Sequence, residues 1–137
     1  MIRAALKLTI PGIPDIYRGA EDWEQSFVDP DNRRPLDFAE LARRLAQPLT
    51  GRDDKLILTQ SLLQLRRRLP ALFAEGSYEA MDCGTNVLAF RRRLGADEIM
   101  VLADLSPGHN ARLPAVAALR TIYGSAAGPV WVMTGRS

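Results

Sequence analysis

Four carboxylates fall close together near the start of the chain: Asp15, Glu21, Asp29 and Asp31. Paired carboxyl groups at a concave site can divide acid and base work between them, which makes this cluster the first candidate for chemistry. Tyr17 and Trp23 lie among them, with aromatic faces that suit the apolar side of a sugar ring. Asn32, Arg33 and Arg34 follow, and guanidinium groups bind carboxylates bidentately and hydroxyls well. Each has a plainer reading. Asp29 and Asp31 flank Pro30 and suit turn caps, and Glu21 suits an ion pair with an arginine. Arg33 and Arg34 suit a structural pairing with Asp29 or Asp31, the reading we favour. Core packing explains Tyr17 as well as stacking does, so Trp23 is the better functional candidate. The candidate binding set is Tyr17, Glu21, Trp23, Asp29, Asn32, Arg33 and Arg34. No catalytic residue is assigned, because a single loop does not supply the walls and preorganised dipoles that catalysis needs.

These residues need elements to hold them. Residues 2–9 suit the last turns of a helix, which Pro11 and Gly12 stop by removing a donor and permitting a reversal. Residues 13–17 are then expected to form a short apolar strand, followed over 21–35 by a long structured loop. Asp37 is placed to cap a helix through Phe38, Leu41, Ala42 and Leu45 that ends at Pro48. A stronger helix begins at Asp53 or Asp54, where Leu58, Leu62, Leu65 and Leu69 recur at helical spacing and form one stripe expected to pack on the later strands. Arg66, Arg67 and Arg68 crowd its last turn, Pro70 prevents simple continuation and Gly76 closes the segment. Beyond Gly76 the pattern turns to strands at 87–92, 98–105, 120–123 and 130–133, the first two joined by a hairpin loop at Leu94-Gly95-Ala96-Asp97. The fold class is therefore α+β: a helical segment over 1–75, then a small antiparallel β-domain over 76–137.

Composition narrows the function classes. A chain of 137 residues buries one modest core and falls short of a complete (β/α)8 barrel, which needs about 250 residues. The net charge of +2 gives no reason to expect a nucleic-acid partner. No run approaches the apolar length of a membrane span, and none reads as a signal peptide, so no membrane partner is expected. The single cysteine, Cys83, reads as a small buried or half-buried thiol in a reducing compartment, which makes the cytoplasm the expected location. The single histidine, His109, sits in a turn sequence without a Cys or His partner, so neither a metal nor a cofactor is expected. The arginine runs at 66–68 and 91–93 point in different directions on helix and strand geometry, and are read as solvated or ion-paired rather than as phosphate sites.

Two runs carry a family resemblance. Residues 11–21, Pro-Gly-Ile-Pro-Asp-Ile-Tyr-Arg-Gly-Ala-Glu, resemble the last barrel strand and following loop of the α-amylase-like glycoside hydrolases (family 13). Residues 29–35, Asp-Pro-Asp-Asn-Arg-Arg-Pro, with Arg66-Arg67-Arg68-Leu69-Pro70-Ala71-Leu72, narrow the resemblance to the C-terminal portion of the maltooligosyl trehalose synthases. The resemblance implies that 1–75 is the end of a (β/α)8 barrel and that the rest is the family's C-terminal antiparallel β-domain. It implies a place in trehalose biosynthesis, where malto-oligosaccharides are rearranged by an intramolecular transglycosylation classed as an isomerase reaction (glucan glucosylmutase). Such retaining chemistry uses two carboxyl groups about 5 to 5.5 Å apart. In the family these follow the fourth and fifth strands, with a third acidic residue after the seventh, and no such strands occur in this sequence. The chain is thus expected to be inactive alone, with malto-oligosaccharide as partner only in a full-length context. The alternatives are an α-glucan-binding module and a self-associating structural module, for which a homodimer is the expected partner.

Overall fold

The computed structural model describes residues 1–17, 19–23, 33, 35–47, 54–106, 119–124 and 128–136. Helix α1 runs over Ile2–Thr9 and buries Ala5, Leu8 and Thr9 on one side. The Thr9 hydroxyl donates to the Ala5 carbonyl at 2.7 Å, so this buried polar group is satisfied within its own helix. Helix α2 spans Phe38–Leu45, and Asp37 caps it as its position requires: Oδ1 accepts the Glu40 amide at 2.8 Å. One turn on, the Arg43 guanidinium grips the Glu40 carboxylate at 2.6 and 2.7 Å and holds that carboxyl below its ordinary range.

Helix α3, Asp54–Arg68, buries Leu56, Leu58, Thr59, Leu62 and Leu65. Leu69 continues the stripe, half-buried against the same cluster. Pro70 turns the chain without ending helical structure: it sits in the first turn of a short helix α4, Pro70–Glu75, where a missing amide costs nothing.

The β-region forms one five-stranded antiparallel sheet of β1 (Glu79–Met81), β2 (Val87–Leu94), β3 (Asp97–Asp104), β4 (Arg120–Tyr123) and β5 (Val130–Arg136). Its order is β1-β2-β3-β5-β4, so β5 inserts between β3 and β4. The β2–β3 hairpin is tighter than the four-residue loop expected, because Leu94 pairs with Asp97 and leaves a two-residue turn. Gly95 adopts φ 57°, the left-handed value that a glycine-first hairpin turn demands. Strand β1 has no counterpart in the sequence reading: three residues, two of them exposed, are too few to display a period.

Alternation along the strands sends Phe90, Ile99, Val101, Ala103, Val130 and Val132 toward the helices. They meet Leu8 of α1, Leu58, Leu62 and Leu65 of α3, and Leu72 and Phe73 of α4, so residues on both sides of Glu75 build one core. The leucine stripe packs on the sheet as its spacing implies. On the other face, Ala89, Met100, Leu102, Trp131 and Met133 form a smaller cluster joined by the half-buried Cys83. Burial first and Asp82 second push the Cys83 thiol upward, toward the inert protonated form. Among the described residues, no helix is long and apolar enough to cross a membrane.

The expected strand at 13–17 is a correction. These residues have no strand partner among the described residues, and Ile13 is 97% exposed. An apolar run becomes a strand only when a neighbouring strand takes its amides and carbonyls, and nothing among the described residues lies beside it to do so.

Candidate functional site

Three of the candidate residues, Tyr17, Glu21 and Trp23, lie on the segment that leaves α1. The Ile10 amide closes the helix on the Leu6 carbonyl, Gly12 turns the backbone at φ 116°, and residues 13–17 then run without regular structure. Tyr17 is 56% exposed while Ile16 faces inward against the core cluster, as alternation along an extended backbone requires. A turn follows, in which the Tyr17 carbonyl accepts the Ala20 amide and the Gly19 carbonyl accepts the Asp22 amide. Gly19 is buried with φ 86°, a conformation that a side chain would strain.

That turn decides which acidic residue is paired, against the expectation for Glu21. Glu21 Oε2 is buried and has no hydrogen-bond partner among the described residues. Its neighbour Asp22 holds the arginine instead: Oδ2 accepts from Arg44 Nη1 of α2 at 2.5 Å, and Oδ1 accepts the Trp23 amide at 2.8 Å. The Asp22 carbonyl also accepts from Lys55 Nζ of α3 at 2.5 Å, so one residue ties the turn to two helices. Adjacent carboxylates look equivalent in a sequence. Only the path of the turn separates them.

Trp23 is 58% exposed, and the Lys55 ammonium lies 5.4 Å from its ring centroid. The ring also lines a groove of about 700 Å³ with Leu8, Ile16, Ala20 and Thr59. Arg33 is exposed. Asp29, Asn32 and Arg34 lie outside the described residues, as do Asp31 and His109. Among the described residues, no three His, Cys, Asp or Glu side chains gather as metal ligands would.

The arginine runs do point apart, but two members spend their guanidinium groups on backbone carbonyls rather than on carboxylates. Arg92 is 1% exposed and donates to the carbonyls of Phe73 at 3.2 Å and Gly76 at 3.1 Å, with longer contacts to Ser77 at 3.4 Å and Thr9 at 3.5 Å. Arg66 donates to the carbonyls of Leu8 at 3.0 Å and Gly12 at 3.1 Å. The two guanidinium groups flank the Phe73 ring, at 4.5 Å for Arg66 and 5.7 Å for Arg92. Burial lowers the proton affinity of both, and in Arg92 the neighbouring Arg66 lowers it further. They close the carbonyl-rich C-terminal ends of α1 and α4, where unpaired acceptors and helix dipoles favour a cation. The signal was legible in part: Arg92 is two residues from the apolar Phe90 and so shares its face. Arg91 and Arg93 point the other way and pair with Glu79 and Glu98.

No protein-family model matches the chain. A Mycobacterium tuberculosis protein provisionally named maltooligosyl trehalose synthase is 42% identical over 100 residues, or 70% of this chain. The chain belongs with the maltooligosyl trehalose synthases. It spans 12% of the length of that relative. Among solved structures, a maltooligosyl trehalose synthase superposes with a TM-score of 0.72 at 26% identity, covering 98% of this chain and 21% of its own. The synthase from Arthrobacter ramosus gives 0.63 at 29% identity with the same coverage. The α+β architecture seen here is thus shared with part of those synthases.

Proposed function

We infer that this chain serves as the C-terminal end of a maltooligosyl trehalose synthase-like polypeptide of trehalose biosynthesis, and that it does not rearrange malto-oligosaccharides by itself. The observation that carries this reading is the sequence match, strong over 70% of the chain yet confined to 12% of the relative. Six of the described carboxylates support it, because they are committed elsewhere: Asp22 to Arg44, Glu40 to Arg43, Glu79 to Arg91, Glu98 to Arg93, and Asp37 and Asp104 to local backbone amides. Retaining transglycosylation needs two carboxyl groups about 5 to 5.5 Å apart and free to exchange a proton and a glycosyl group. We take the cytoplasm as the compartment, on the single cysteine.

The test is incubation of the purified chain with maltohexaose and chromatography of the products. No trehalose-ended oligosaccharide should form above a heat-killed control. Product that disappears in Glu21→Ala would overturn the reading. A second reading, an α-glucan-binding module, is favoured by the exposure of Trp23 and Tyr17 on one segment. Retention on an amylose column, competed by maltodextrin and lost in Trp23→Ala, would support it.

A further inference from the structure

Where α3 ends, the helix-facing side of the sheet changes from apolar to polar. The register sets Ile99 of the core opposite Thr134, and Thr134 in turn opposite Arg120, so all three share that side. Asp97 joins them, being two residues from Ile99 on the same strand. Arg68, in the last turn of α3, completes the corner, and a cavity of about 430 Å³ lies among these side chains, lined also by Leu65 and Leu69. The described lining comes from a helix and three strands that build one core, so this chain's own packing makes the cavity.

The two cations have no carboxylate to answer them. Among the described residues neither Arg68 nor Arg120 has a hydrogen-bond or ion-pair partner. The helix dipole accounts for a cation in the last turn of α3, but gives no reason for a second one on a strand lining the same space. The run at 66–68 makes no site by itself, because its members point apart; β4 supplies the second guanidinium that it lacks. Asp97 is already engaged, and the Thr134 hydroxyl spends its proton on the Glu98 carbonyl at 3.0 Å, so what each still offers is lone pairs.

We propose that this corner binds a small phosphate monoester whose organic body carries hydroxyl groups. A phosphate, with close to two negative charges and three acceptor oxygens, matches two guanidinium groups, whereas a carboxylate is satisfied by a single bidentate arginine. Organic ligands occupy cavities of about 300 to 1,000 Å³, so the space holds a body as well as the anion. That body lies against Leu65 and Leu69, and its hydroxyls donate to Asp97 and Thr134. The site is independent of the functional reading above and stands or falls without it.

The experiment follows backbone amide NMR shifts of the complete chain during titration with glucose 6-phosphate, inorganic phosphate and glucose at constant ionic strength. Glucose 6-phosphate should move the amides of residues 65–69, 97, 120 and 134 along one saturating curve. Inorganic phosphate should bind there about tenfold more weakly or worse, and glucose not measurably. Arg68→Met and Arg120→Met, both at exposed positions, should each weaken the ester by about tenfold, with amides away from the corner unshifted. Arg67→Met, also exposed on α3, should change it by less than about twofold. A flat titration with the ester would overturn the proposal, as would binding that survives the two substitutions together. Equal affinity for inorganic phosphate would overturn it by showing that the body is not recognised. An equal loss in Arg67→Met would do so by reducing the effect to general surface charge.

Discussion

Replacing Arg92 with methionine keeps most of the buried stem and deletes the donors, which isolates what the guanidinium does for the carbonyls around it. Two of its bonds are well made, to Phe73 at 3.2 Å and Gly76 at 3.1 Å, and those to Ser77 and Thr9 are at the limit of a hydrogen bond. Counting only the two good ones, at about 1.5 kcal/mol each for a charged donor, the loss is about 3 kcal/mol. The burial cost of the charge falls away at the same time, but the carbonyls stay buried without a donor, so the penalty of breaking one side of the network applies. With a urea slope of about 1.5 kcal/mol per molar, the denaturation midpoint should fall by about 2 M. Arg93→Met is the control: its side chain is 44% exposed, its partner Glu98 lies at 3.3 Å, and its loss should cost under about 1 kcal/mol. Arg92→Lys should not rescue the fold, because one ammonium cannot span acceptors on both α1 and the end of α4. Equal midpoints for the Arg92→Met and Arg93→Met variants would refute the reasoning and would mean that water satisfies these carbonyls without help.

Leu62→Ala should destabilise the chain by about 2 to 5 kcal/mol, since Leu62 is fully buried in the main cluster, while Arg67→Ala should not move the urea midpoint measurably. Ionisation of Tyr123 is pushed upward, by burial first and by Asp54 second, so the native state holds this proton more tightly than the unfolded chain does. Its contribution is complete below the unfolded value near 10 and is lost as pH rises through the folded value, so Tyr123→Phe should flatten the alkaline fall in stability in urea titrations taken at about pH 9 and about pH 11.

Local rules settled much of this molecule before any contact was known. The spacing of Leu58, Leu62 and Leu65 fixes which side of α3 is apolar, and an apolar stripe of that width has to be covered. Asp37 announces the start of α2 because a carboxylate at that position meets an amide that the helix leaves open. The β2–β3 hairpin follows from two alternating runs around a glycine, and the runs at 11–21 and 29–35 pointed to the family. Tertiary structure decided the rest, where the outcome depends on what stands opposite. Residues 13–17 have the composition of a strand but not, among the described residues, the neighbour that makes one. Asp22 rather than Glu21 meets Arg44 because a turn with Gly19 at positive φ aims one carboxylate at α2 and buries the other. Three consecutive arginines at 91–93 read alike in the sequence. The pleat sends the middle one inward, and only the meeting of two helix ends behind the sheet gives its charge a place to stay.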